Sequence, residues 1–197
     1  MRWRKLLSAL GIDSAPLLSR LGIRVDVSWP RFHEQTRPWT CALACTRMVL
    51  EFEGVDRSED ELLEKYCRMA GSSPIQQQIL GGTQLSLNAE LATRTLPSRA
   101  PSVRWSVSKQ STDMIRHVQE LLRDRPVVVG IVPEARGRIG HAVLLLEWHP
   151  ERIVVHDPLR GAARTWEQLG YDGSFVEAWD RYWSCHWNTE DTTMRAN

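Results

Sequence analysis

QTRPWTCALACTRMVLEFEG, residues 35–54, is the stretch whose reading decides the fold. Ala42, Ala44, Met48 and Glu51 favour helix, and Gly54 is a natural residue just past a helix end. Cys41 therefore falls at or just inside a helix N-terminus, with Thr40 as the candidate cap. Unpaired N–H groups and the helix dipole favour a thiolate there over a thiol, which makes the sulfur nucleophilic near neutral pH. A cysteine so placed needs a base and an orienting group from elsewhere in the chain. Cys45 lies one turn further in, where the dipole has weakened, so Cys41 is the better nucleophile and Cys45 reads as a buried helix residue.

The chain's 197 residues fit one domain with a real core. A hydrophobic fraction of 42%, a charged fraction of 25% and a net charge of +1 describe a globular protein and give no reason to expect a nucleic-acid or membrane partner. The 4 cysteines contain no CxxC pair, which argues against structural zinc, and the size of the domain argues against a disulfide scaffold. Cys67 and Cys185 read as small buried hydrophobes, with a bridge between them as the open alternative. No apolar run reaches membrane-spanning length. MRWRKLLSALGI lacks a convincing cleavage site behind it and repeats its leucines at helical spacing, so residues 1–28 read as an amphipathic extension. The domain proper is expected over 29–187, with a polar tail at 188–197. The cytoplasm is the default compartment, secretion the alternative.

From the nucleophile stretch outward, Ile23–Val27 alternates as a short strand and Ser28–Pro38 reads as a loop. Ser58-Glu59-Asp60-Glu61 is a capping box that opens a second helix through Leu62, Leu63, Tyr66 and Cys67. GSSPIQQQILGG, residues 71–82, reads as a loop that can lie over a groove. Leu87, Leu91 and Leu96 suggest a third helix, Val103–Val107 a strand, and Ile115, Val118, Leu121 and Leu122 a helix stopped before Pro126. Strands then dominate: Val127–Val132, Ala142–Trp148 and Ile153–His156, the last two joined by the turn 149–152 as an antiparallel hairpin. Ser174–Glu177 is a second capping-box pattern, and Trp179, Trp183 and Trp187 recur at the spacing of one helix face. Helices followed by an antiparallel sheet make an α+β layout, with the helix of Cys41 packed on the sheet.

The hairpin supplies the missing chemistry. His141 precedes one of its strands and Asp157 follows the other, so both come to its outer end. Their stagger is about three residues, on the order of 10 Å before twist or a bulge. An aspartate there holds the imidazole tautomer and stabilises its charged form, while the other ring nitrogen faces the Cys41 thiol. His156 alternates to the opposite face of its strand and is set aside. His33, His117, His149 and His186 show no partner pattern. Arg136 and Arg138 precede His141 in a loop that reads as a solvated turn. Trp39 and Trp148 are candidates to line a substrate groove.

Gln35-x5-Cys41 at a helix start, Gly140-His141 before a hydrophobic strand, and Asp157-Pro158 sixteen residues beyond His141 together resemble the bacteriocin-processing cysteine peptidases and their free-standing relatives in the papain-like superfamily. The likeness runs over residues 30–185 and takes in the RPVVVGI strand before the histidine. It implies a papain-like fold with the nucleophile helix on an antiparallel sheet. It also implies Cys41 as nucleophile, His141 as general base and acid, Asp157 as orienting carboxylate and Gln35 as an oxyanion-hole donor. Such peptidases commonly carry Asp-Cys-Gly around the nucleophile, where this chain has Thr40-Cys41-Ala42. Substrate contacts are expected from Trp39, Thr40 and Gly140. The expected activity is hydrolysis of a peptide or protein with no metal or organic cofactor, in company with a precursor peptide or a transporter component. Two rivals use the same residues: a thioester-forming transferase that passes the acyl group to an amine, and an inactive relative that binds peptides.

Overall fold

The computed structural model describes residues 29–96, 102–106, 112–123, 125–132, 140–149, 151–171 and 173–186. The expected N-terminal helix and strand, Arg136 and Arg138, Trp187 and the polar tail lie outside them. In chain order the elements are α1 (Cys41–Phe52), α2 (Glu59–Ala70), α3 (Pro74–Ile79), α4 (Leu85–Thr95), β1 (Ser102–Ser106), α5 (Thr112–Leu121) and β2 (Val127–Ile131). They continue as β3 (His141–His149), β4 (Arg152–Asp157), β5 (Gly161–Thr165), α6 (Trp166–Leu169), α7 (Phe175–Ala178) and β6 (Trp179–His186). The strands form one sheet in the order β1-β6-β2-β3-β4-β5, every neighbouring pair antiparallel. This is the α+β arrangement expected, with α1 packed on the sheet.

The sheet has a core on each face. On one, α1, α2 and α4 bury Leu43, Met48, Leu50, Leu62, Tyr66 and Leu91 against Val128, Leu144, Val154 and Trp183. Each such side chain contributes on the order of 1.5–3 kcal/mol by leaving water, which is what fixes α1 and hence Cys41. On the other face, Val129, Ile131, Val143, Leu145 and Val155 meet Trp166, Tyr171, Phe175, Trp179 and Tyr182. Alternation along β2 and β3 assigns their residues to the two faces, as the pleat requires.

Local chemistry explains the boundaries. Ser58 and Glu61 make the capping box that starts α2, and Gly71, at φ 61, ends it. Gly54, at φ 88, follows the end of α1 as expected. The segment 71–82 is not all loop: Ser73 caps Gln76, Pro74 takes the first helical position and α3 results. The helix expected to carry the tryptophans is the larger correction. Helix persists only over Phe175–Ala178, and Trp179–His186 is a strand paired with β1 and β2. Aromatic residues favour the pleated sheet, and a spacing of four fits one face of a strand as well as of a helix. Here an irregularity opposite Gly130 and Ile131 sends Trp179 to one core and Trp183 to the other. β5 and α6 also went unread. Cys67 is a free thiol, not half of a bridge.

Candidate active site

Cys41 is the first residue of α1, and its thiol is half-buried. Thr40 does not cap the helix with its side chain. Its hydroxyl turns back into the preceding turn, donating to the Arg37 carbonyl at 3.0 Å and accepting from the Arg37 N–H at 3.2 Å. The leading N–H groups of α1 are thus not taken by a capping oxygen, and the backbone N–H groups of Ala142 on β3 and of Ala42 favour the Cys41 thiolate.

His141, the first residue of β3, is buried and lies beside the Cys41 thiol, near enough for each to shift the other's proton affinity. Its Nε2–H donates to Asp157 Oδ1 at 2.8 Å. A carboxylate only accepts, so this contact fixes the proton on Nε2 and leaves Nδ1 for the thiol. The stagger that separated the two residues on paper is partly removed by a bulge between Leu145 and Glu147. Leu144 pairs with His156, which brings Asp157 level with Val143, two residues from His141.

Asp157 is 0% exposed yet charged, because four donors satisfy it. Oδ1 accepts from His141, from Leu159 N–H at 2.9 Å and from Arg160 N–H at 3.3 Å, while Oδ2 accepts from the Tyr171 hydroxyl at 2.6 Å. Burial raises its proton affinity, but His141 and the other donors outweigh that and hold the carboxyl below its ordinary value. For His141, burial works against the charge, and Asp157 and Cys41 together overcome it and push the imidazole up to about 9. Burial likewise opposes a Cys41 thiolate, but the His141 contact lowers the thiol overall. A thiolate–imidazolium pair is the outcome. Burial drives Cys45 the opposite way, well above its ordinary value, with the charges of Cys41, Asp157 and Glu59 adding to it.

Gln35 is drawn to this place through its backbone: its N–H donates to the carbonyl of Pro158, next to Asp157, at 3.1 Å. Its side-chain Nε2 donates to the Arg37 carbonyl at 2.8 Å, and its buried Oε1 has no partner. The following residue is locked to α2, where the buried Glu59 carboxylate accepts from the Thr36 N–H at 3.1 and 3.2 Å and from its hydroxyl. Trp39 is half-buried, Thr40 fully buried, and Gly140 exposed at the start of β3. Gly82, at φ 136, passes so close that an added Cβ would lie 3.0 Å from the Trp39 carbonyl oxygen. Trp148 packs edge-on to Phe175 and Trp179 inside the second core, not in a groove. His156 is engaged elsewhere, donating to the Pro30 carbonyl and accepting from Ala163 N–H, both at 2.9 Å. His33 does have a partner, Glu51 on α1. Sequence reasoning missed Glu59 and Tyr171: Glu59 looked like a helix-start acid, and Tyr171 carries no spacing signal at all.

Among the described residues no cluster of three or more histidines, cysteines or acids is arranged to hold a metal ion. The arrangement is that of a papain-like cysteine peptidase: a thiol at a helix N-terminus, an imidazole on the facing sheet, and a buried carboxylate behind it. The family follows from the sequence match. Residues 26–184 match the Peptidase_C39 like family, and the chain belongs to it.

Two solved structures share the fold. A C39-like peptidase from Bacillus anthracis is 14% identical with a TM-score of 0.56, over 81% of this chain and 95% of that one. The peptidase domain of Streptococcus ComA, a bifunctional ABC transporter involved in a quorum-sensing pathway, is 14% identical with a TM-score of 0.52, over 80% of this chain and 98% of that one. No curated protein matches the sequence. Family and site together make the chain a cysteine peptidase acting through a Cys-His-Asp triad.

Proposed function

We propose that Cys41 attacks the scissile carbonyl of a peptide or protein, with His141 as the acid and base and Asp157 as the group that orients it. The thiolate adds to the carbonyl carbon, and the imidazolium gives its proton to the leaving amine as the carbon–nitrogen bond breaks. The resulting thioester is cleaved by water, whose proton His141 takes as the sulfur leaves as thiolate, which restores the thiolate–imidazolium pair. Gln35 serves the oxyanion: one Nε2 hydrogen is held by the Arg37 carbonyl, and an amide nitrogen carries a second. Paired with the Cys41 N–H, that donor is worth about 3–4 kcal/mol in the tetrahedral state. Trp39 and Gly140 flank the groove, and Thr40, being buried, offers it only backbone. The observation that carries this reading is the placement of Cys41 beside His141, whose Nε2–H is bonded to the buried Asp157.

The peptidase unit spans 29–187, between an N-terminal extension and a polar tail, and works in the cytoplasm on a precursor peptide or beside a transporter component. No described helix is long and apolar enough to cross a membrane. The test is a peptide mixture digested in H2¹⁸O. Hydrolysis places ¹⁸O in new C-termini, and Cys41→Ala abolishes them. New C-termini joined to an added amine instead would establish transfer, and cleavage that survives Cys41→Ala would overturn the mechanism.

A further inference from the structure

Three of the four donors to Asp157 converge on Oδ1, and Tyr171 is the one that holds Oδ2. With Asp157 fully buried, no water replaces that bond. Tyr171 is itself held from both sides. The Trp166 ring lies 4.8 Å away at 37°, and the Arg160 guanidinium sits over the phenol at 4.2 Å from its centre. Arg160 also bonds the Leu169 carbonyl, and Trp166 Nε1 donates to the Gly173 carbonyl at 3.0 Å, closing the segment around the tyrosine. Gly170, at φ 62, turns the chain out of α6 so that Tyr171 faces the triad.

We propose that Tyr171 is a positioning residue of the peptidase reaction, whose phenol fixes the plane of the Asp157 carboxylate and draws off part of its charge. The proposal rests on the triad described above. The titratable and charged groups around Asp157 are His141 from β3, with the Cys41 thiol beside that imidazole, Cys45 from α1, and Arg160 and Tyr171 from the segments after β4. Removing the phenolic donor leaves more uncompensated negative charge among them, which raises the proton affinity of both Cys41 and His141. A tyrosine that served packing alone would lower the amount of folded protein without moving either titration.

The experiment is the pH dependence of Cys41 alkylation by iodoacetate in the full chain, with the modified residue assigned by mass spectrometry. Iodoacetate requires the thiolate and is drawn by the imidazolium, so the rate describes a bell. In Tyr171→Phe both limbs are expected to move to higher pH by about half a unit to one unit. Site-specific replacement of Tyr171 by 3-fluorotyrosine, a stronger donor, is expected to move both limbs the other way, and decides the matter alone if Tyr171→Phe does not fold. Unmoved limbs, or an alkaline limb that falls in Tyr171→Phe, overturn the proposal. A wild-type chain with no bell at Cys41 overturns the triad instead.

Discussion

Asp157→Asn tests how the triad divides its work between geometry and charge. The asparagine oxygen fits the Oδ1 position, where the His141 Nε2–H and the N–H groups of Leu159 and Arg160 converge. Its NH2 then faces the Tyr171 hydroxyl, which turns from donor to acceptor without moving an atom other than hydrogen. Tautomer and position survive, and only the charge is lost. Two unit charges about 4 Å apart attract by about 4 kcal/mol at an effective dielectric constant of 20, equivalent to about three pH units. That is an upper bound, because the asparagine oxygen keeps the hydrogen bond. The alkaline limb, which His141 sets at about 9, is therefore expected to fall by about one to two units. The peak rate should drop only about tenfold, the difference between a charged and a neutral hydrogen bond. The assay is the bell-shaped iodoacetate profile of Cys41, or peptide hydrolysis across pH. An alkaline limb unchanged in Asp157→Asn would show that the carboxylate does not set the imidazole's charge, and would refute the electrostatic reasoning. Asp157→Ala is the contrast, since it strands four donors, the His141 Nε2–H and the Tyr171 hydroxyl among them buried, and should lower thermal stability as well as rate.

Gln35→Ala is expected to lower kcat about 10²–10³-fold in steady-state kinetics while Cys41 alkylation stays near wild type, because the amide acts on the oxyanion and not on the thiol. Gly82→Ala forces a Cβ to 3.0 Å from the Trp39 carbonyl at φ 136, so the midpoint of thermal unfolding should fall and alkylation of the neighbouring Cys41 should slow. Burial holds His156 below its ordinary value of 6.5, with the Pro30 contact opposing. A histidine favoured neutral in the fold contributes fully above 6.5 and loses that contribution as pH falls through its lowered folded value. His156→Gln keeps both an acceptor for Ala163 and a donor for Pro30, so its urea-unfolding free energy should decline less between pH 7 and pH 5 than that of the wild type.

What could be read from the residues was whatever local chemistry or chain order dictates. The helix of Cys41, the capping box at Ser58, the hairpin in which His149 pairs with Arg152 and the meeting of His141 with Asp157 all follow from signals within a few residues of each position. The failures share a cause. Trp179 and Trp183 stand at a spacing that helix and strand both satisfy, and only pairing with β2, remote in sequence, decides between them. α3 was hidden because Gln76, Gln77 and Gln78 give no apolar period, so its capping residues alone betray it. Tyr171 and Glu59 hold residues 14 and 23 positions away in the sequence, and no periodicity encodes such a contact.

Thr40 shows why the site needs both kinds of determinant. An N-cap threonine would stabilise α1 by about 1 kcal/mol, yet here its hydroxyl is spent on Arg37. The uncapped end leaves the Ala42 N–H to favour the Cys41 thiolate. The stability forgone is restored from outside the helix: Glu59 and Asp60 of α2 hold Thr36 and Arg37, and Pro158 holds Gln35. These contacts fasten the segment before α1 to α2 on one side and to the end of β4 on the other. The same fastening brings Gln35 beside Asp157-Pro158, so the loop that replaces the cap also delivers the proposed oxyanion donor. A helix end left open for chemistry is therefore affordable only because a second helix and a strand end grip the residues leading into it.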